Sequence, residues 1–256
     1  MRVISAISTF TLAGLAVLAM GVGPAAATPI VDNPWATLPT GTNITAITAD
    51  ALGNSYTVDI TTGNVSRIDR RGAVSASWAS AGTTAKPQDL VALDDGTLFV
   101  ADREADDVLR VDPSQSTTRV LLPAGSEPRS ITRMGSSVFV ASTGTSMVAE
   151  IRSDGTVVPA FASLPSPPAM IESNGTDLYT LNSNRTISRI SSTGSVTASH
   201  ITLPPGASVS SFAATPDGRV FASESTTNRV TLPSAPARST SATITTRPRD
   251  GPERSP

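Results

Sequence analysis

From residue 35 to residue 232 the chain alternates short apolar runs with polar turns. Within the runs, apolar and polar residues follow one another with a period of two, the spacing of a half-buried strand. No segment after residue 28 keeps the 3.6-residue period of an amphipathic helix. The runs also recur. Aligned on their aromatic residue they read Ser55-Tyr56-Thr57-Val58, Leu98-Phe99-Val100-Ala101, Val138-Phe139-Val140-Ala141, Leu178-Tyr179-Thr180-Leu181 and Val220-Phe221-Ala222-Ser223, with spacings of 43, 40, 40 and 42 residues. Turn formers precede them, as in Asp94-Asp95-Gly96 and Asp217-Gly218-Arg219. Gly and Asn/Asp at these places tolerate the positive φ of a tight hairpin.

A second strand follows each run: Val65-Ser66-Arg67-Ile68, Val108-Leu109-Arg110-Val111, Val148-Ala149-Glu150-Ile151 and Ile187-Ser188-Arg189-Ile190. The fifth copy starts as Asn228-Arg229-Val230 and then meets Leu232-Pro233. A third register begins at Trp35, Trp78, Arg119, Phe161 and His200, spaced 43, 41, 42 and 39 residues, and in most copies ends in Leu-Pro. Units of about 40 residues with four short strands predict an all-β fold, a β-propeller of five four-stranded blades. The first outer-type segment, residues 35–39, precedes the first inner strand near residues 45–49, while the fifth unit lacks an outer strand of its own. The expectation is therefore that residues 35–39 pair beside residues 228–232 and close the ring, with Trp35 buried against the fifth blade. The alternative is a six- or seven-bladed propeller truncated at its C-terminal side.

Pro87-Gln88-Asp89-Leu90-Val91, Asp95-Gly96-Thr97-Leu98-Phe99-Val100-Ala101-Asp102, Val108-Leu109-Arg110-Val111-Asp112 and Asp154-Gly155-Thr156 resemble the repeats of NHL-type and streptogramin-lyase-like propellers. The resemblance covers residues 35–232 and implies the architecture; the same fold hosts unrelated chemistries. The lyases of this group use a His and an acidic metal-linked centre, and no residue here matches that centre.

Composition narrows the chemistry. The chain has 256 residues, a formal net charge of −2, no cysteine and one histidine. Near-neutral charge excludes a strongly basic nucleic-acid binder. Without cysteine there is no disulfide framework, thiolate zinc site or cysteine nucleophile, and one histidine excludes a multi-histidine metal site. At the N-terminus, Arg2, an apolar stretch from Phe10 to Val22 and Ala25-Ala26-Ala27 form the pattern of a secretory signal peptide cleaved after Ala27. The domain reading is a signal peptide over residues 1–27, a propeller over 28–236 and a disordered Ser/Thr/Pro/Arg-rich tail over 237–256. It implies a protein secreted or held in the cell envelope, monomeric, with no membrane span after cleavage.

No nucleophile elbow and no phosphate loop occur. His200 stands at the repeat position of Trp35 and Phe161 and reads as a packing residue. The residue three after each aromatic is Asp59, Asp102, Ser142, Asn182 and Glu224, one per unit. At equivalent strand ends these form a candidate ligand-binding ring, and Asp59, Asp102, Asn182 and Glu224 a candidate oxygen site for Ca²⁺ or Mg²⁺. Gluconolactonase-like propellers hold a divalent ion with a similar set of residue types. The competing reading is that these side chains cap the following turns. The acidic run Asp102, Glu104, Asp106 and Asp107 lacks the glycine and terminal glutamate of an EF-hand loop. The function expected is a secreted binding or scaffold propeller that meets an extracellular ligand or protein through loops on one face. The alternative is a metal-dependent lyase or lactone hydrolase.

Overall fold

A computed structural model of the protein describes residues 35–225 and 229–231. Those residues are all-β, in five antiparallel sheets. The first sheet holds β1 (Ile44–Ala49), β2 (Ser55–Asp59), β3 (Asn64–Ile68) and β4 (Val74–Ser80). The second holds β5 (Pro87–Ala92), β6 (Leu98–Asp102), β7 (Asp107–Val111) and β8 (Thr117–Leu121). The third holds β9 (Pro128–Met134), β10 (Ser137–Ser142), β11 (Met147–Ile151) and β12 (Val157–Ser163). The fourth holds β13 (Pro168–Ser173), β14 (Leu178–Asn182), β15 (Thr186–Ile190) and β16 (Val196–Thr202). The fifth has β17 (Val209–Ala214), β18 (Val220–Glu224) and β19 (Arg229–Thr231). Every sheet is a meander in chain order. The signal-peptide and tail assignments, residues 1–27 and 237–256, lie outside the described residues.

The period-two pattern explains how the sheets stack. Along β6, Leu98 and Val100 pack with the first sheet's Tyr56, Val58 and Val65, while Phe99 and Ala101 pack with the third sheet's Val138, Val140 and Ile151. One strand thus covers two neighbours, and all five of its residues are buried. Phe139 joins the third sheet to the fourth in the same way, and Tyr179 joins the fourth to the fifth. A strand buried on both faces needs apolar residues on both, which the runs around the aromatics supply.

Turns make the repeat regular. The residue after each outer strand donates its N–H back to the turn between the second and third strands: Ala81 to Gly63, Leu122 to Asp106, Leu164 to Ser146 and Leu203 to Arg185. All four acceptor residues have positive φ, from 51° to 70°. A left-handed residue lets that hairpin turn its carbonyl outward, so the position is demanding even where it is not glycine.

The inner strands run side by side in blade order, from β1 through β5, β9 and β13 to β17. The expected closure by residues 35–39 is not what forms. Those residues make no strand and no ladder with the fifth sheet, whose β19 pairs with β18 alone among the described residues. Trp35 is 55% exposed and lies beside Gly72 in the β3–β4 turn of the first sheet. Among the described residues the sheets do not close into a ring. The placement has a counterpart: Phe161 of β12 lies against Gly194, the equivalent turn glycine of the next sheet. The turn at residues 39–42, with the Thr42 N–H donated to the Pro39 carbonyl, also matches the inter-sheet turns at 123–126 and 204–207. Residues 35–42 therefore stand toward the first sheet as an outer strand and its linker stand toward the sheet that follows. Their packing is fixed by the first sheet's turn, while the described part of β19 offers them no ladder.

Truncating Phe139, which is 2% exposed between two sheets, should cost about 3–5 kcal/mol of unfolding free energy as Phe139→Ala. Trp35→Ala should cost about 1 kcal/mol or less, as is usual for half-exposed surface positions. Urea unfolding of the two variants checks both values.

Candidate functional site

The five ring residues occupy the last positions of β2, β6, β10, β14 and β18, as their spacing predicts, and all are buried. The hydrogen bonds of Asp59, Asp102 and Asn182 stay within their own sheets and the links that enter them. Asp59 Oδ1 accepts the N–H of Thr61 at 2.7 Å and of Thr62 at 3.3 Å. Asp102 Oδ1 accepts the Lys86 N–H at 2.9 Å, and Asp102 Oδ2 lies 3.3 Å from Arg119 Nη1. Asn182 Nδ2 donates to Thr186 Oγ1 at 3.1 Å and to Ser188 Oγ at 2.8 Å, and Thr180 Oγ1 donates to Asn182 Oδ1. Ser142 and Glu224 are buried at the ends of β10 and β18. Among the described residues no three His, Cys, Asp or Glu side chains come together as a metal cluster.

The acidic run is likewise drawn into structure. Asp106 accepts the N–H groups of Gly125 and Glu127, both at 2.7 Å, tying the β6–β7 turn to the link between the second and third sheets. Asp107 binds Arg119 through both oxygens, at 2.8 and 2.6 Å, and Arg119 Nη2 donates to the Ala81 carbonyl at 2.6 Å. Asp102 and Asp107 are almost fully buried, and the guanidinium between them offsets the cost of holding two carboxylates in a dry place. His200 packs on Tyr179 with ring centroids 6.1 Å apart, the arrangement that Trp78 makes with Tyr56 and Phe161 with Phe139.

A pair that the strand-end pattern does not reveal stands on the inner strands. Asp89 on β5 accepts the Ile131 N–H and the Ser130 hydroxyl of β9, both at 3.0 Å on Oδ2, and Ser130 Oγ in turn accepts the Ile171 N–H of β13 at 3.2 Å. In the same manner Thr48 of β1 accepts the Ala92 N–H of β5 at 3.2 Å. Side chains of one inner strand thus satisfy backbone donors of the next across the stack. Burial pushes the Asp89 carboxyl up to about 6, against the lowering effect of these donors. Glu172 on β13 is half-buried, and its carboxyl is pushed up to about 8, first by desolvation and then by repulsion from Asp89. No hydrogen bond or ion pair to Glu172 forms among the described residues. The only sequence signal for this pair was a carboxylate inside a run that is otherwise strand-like, as in Asp89-Leu90-Val91.

Solved structures resemble this arrangement. Virginiamycin B lyase from Staphylococcus aureus is 20% identical, with a TM-score of 0.63 over 74% of this chain and 69% of that one. A gluconolactonase from Xanthomonas campestris is 18% identical, with a TM-score of 0.55 over 71% and 69%. YCF48, solved bound to a D1 peptide, is 15% identical, with a TM-score of 0.57 over 73% and 62%. The chain shares the β-propeller fold of these proteins. No protein-family model matches it, and no curated protein matches it in sequence. At these identities the likeness is one of fold.

The inner pair gives the propeller a pH dependence. Both carboxyls titrate higher in the folded protein than their ordinary values of 3.8 and 4.5, so the folded state holds protons that the unfolded state has released. Their contribution to stability is complete below about pH 4 and is lost as pH rises to about 8. The melting temperature should therefore fall between pH 5 and pH 8. Glu172→Gln should flatten the upper part of that fall, above about pH 6; an unchanged slope would exclude Glu172 as its source.

Proposed function

We propose that the protein is an exported β-propeller that binds a ligand or partner chain at one face of its blades without transforming it. In this reading the chain forms five blades. The N-terminal pattern ending at Ala27 supports export, to the extracellular space or the cell envelope.

The observation that carries the binding reading is Glu172. It is a half-buried carboxyl on an inner strand, beside Asp89 and without a hydrogen-bond partner among the described residues. A cationic group, an ammonium or guanidinium, would supply the missing partner and draw the carboxyl back toward its ordinary range. Rigid strands hold the acceptor in place before the ligand arrives, which lowers the ordering cost of binding.

A second reading has one observation in its favour: two of the structural neighbours are enzymes, a virginiamycin B lyase and a gluconolactonase. A divalent ion held by Asp59, Asp102, Asn182 and Glu224 would then polarise a carbonyl oxygen. Against it, Asp59 is taken up by its own loop, Asp102 by the Lys86 N–H and Arg119, and Asn182 by Thr180, Thr186 and Ser188. A variant of the lyase in which alanine replaces one histidine is described as catalytically inactive. Here the single histidine, His200, lies in sheet packing against Tyr179.

Thermal melts separate the two. Millimolar L-arginine amide should raise the melting temperature of the wild type and not of Glu172→Gln, because a ligand that binds only the folded state stabilises it. A rise with Ca²⁺ or Mg²⁺ that is lost in Asp102→Ala, together with turnover of a streptogramin B or a sugar lactone, would establish the enzyme reading instead.

A further inference from the structure

Each sheet meets the next through an aromatic ring on its outer strand, with one exception. Trp78 lies over Tyr56 toward the second sheet, Phe161 over Phe139 toward the fourth, and His200 over Tyr179 toward the fifth. In β8 the same repeat position is Arg119. The outer strands β4, β12 and β16 have seven residues and a register shift against their third strands, whereas β8 has five and runs in register throughout. Without the bulge, Arg119 stands opposite Leu109, whose side chain packs toward the first sheet. Its guanidinium accordingly reaches back to the Ala81 carbonyl, Asp102 and Asp107. The face that β8 turns toward the third sheet carries Thr118 instead of a ring.

A cleft of about 890 Å³ lies there, between the second and third sheets, a volume in the range of small-molecule sites. Phe99, Val120, Ile151 and Val157 give it apolar walls, and Arg110 and Thr118 line it from the second sheet. Gly155 lies at its edge and shows what is missing. A Cβ built on Gly72 or Gly194, the equivalent turn glycines, would collide with the carbonyl oxygen of Trp35 or Phe161; one built on Gly155 meets nothing within 4 Å.

The charges around the cleft are mostly spent. Arg133 pairs with Asp94 at 2.6 Å, Arg152 with Glu150 at 3.2 Å and Arg119 with Asp107. Asp95 and Asp154 accept backbone N–H groups of their own turns, from Thr97 and Thr156. Arg110 is exposed, and its guanidinium makes no hydrogen bond or close ion pair among the described residues, its charge acting on Asp112 only at longer range.

We propose that this cleft is a binding site for a planar aromatic monoanion, whose ring takes the place of the absent outer-strand aromatic and whose carboxylate pairs with Arg110. The aromatic class follows from what fills the same position in the other inter-sheet contacts. The single negative charge follows from the one guanidinium lining the cleft that has no hydrogen-bond or ion-pair partner among the described residues, beside the Asp95 and Asp154 side chains, whose oxygens are acceptors and disfavour a second anion. The site is independent of the inner-strand carboxyls and of any ligand they bind.

The probe is 2-naphthoate, titrated by calorimetry into the full chain, with neutral 2-naphthalenemethanol as its comparison. Wild-type protein should bind one equivalent of naphthoate. Thr118→Trp, a change at an exposed position that puts a ring into the cleft, should weaken both ligands tenfold or more while circular dichroism shows the same fold. Arg110→Gln should weaken naphthoate about tenfold, as expected for loss of a charge-assisted hydrogen bond, and leave the neutral compound unchanged. Absence of naphthoate binding to wild type, or binding untouched by Thr118→Trp, would overturn the site. Equal behaviour of the two ligands in Arg110→Gln would overturn the assignment of an anion.

Discussion

Each sheet in this protein is too small to be stable alone, and each must be covered by a neighbour. That constraint sets almost everything else. Four short strands supply few side chains per face, and an isolated sheet of that size would leave half of them in water. Stacking solves this by letting the second and third strands of one sheet serve two cores at once, as Leu98 and Phe99 do from adjacent positions of β6. The cores are therefore slabs between sheets, and the aromatic residues Tyr56, Phe99, Phe139 and Tyr179 are the bolts that cross them.

Stacking also creates a polar problem at the narrow end of the sheets. An inner strand has a partner on one side only, so its other edge carries backbone donors facing the next blade. Thr48, Asp89 and Ser130 take up three of these donors, at Ala92, Ile131 and Ile171. Small hydroxyl residues do this at little electrostatic cost. Asp89 does it as a carboxylate drawn out of water, and that burial, extended to Glu172, yields the one perturbed acidic pair of the inner strands. The same requirement that holds the blades together thus places a carboxyl pair on the inner strands.

The outer edge carries the opposite irregularity. A bulge in a strand re-aims the side chain that follows it. The outer strands of the first, third and fourth sheets use this to turn a ring toward the next blade. The second sheet omits it, turns Arg119 the other way to neutralise Asp102 and Asp107, and leaves a cleft. Function in repeat folds concentrates where one copy departs from the others, because the regular copies need all their side chains for packing.

Much of this was legible in the sequence. The strand order, the 40-residue unit, the turns and the alignment of Arg119 with Trp78, Phe161 and His200 all follow from residue spacing, since period-two burial and hairpin turns are local properties. The placement of Asp59, Asp102, Ser142, Asn182 and Glu224 at equivalent strand ends was legible for the same reason. What those side chains do there was not. Whether an aspartate at a strand end faces a cation or the N–H two residues ahead depends on loop geometry, and for Asp59 the loop takes it. The packing of Trp35 on Gly72 rather than in the fifth sheet, the approach of Glu172 to Asp89 and the reversal of Arg119 each join residues far apart in the chain. Only the tertiary structure decided them, because a side chain's partner across a sheet interface is set by twist, register and bulges summed over several strands.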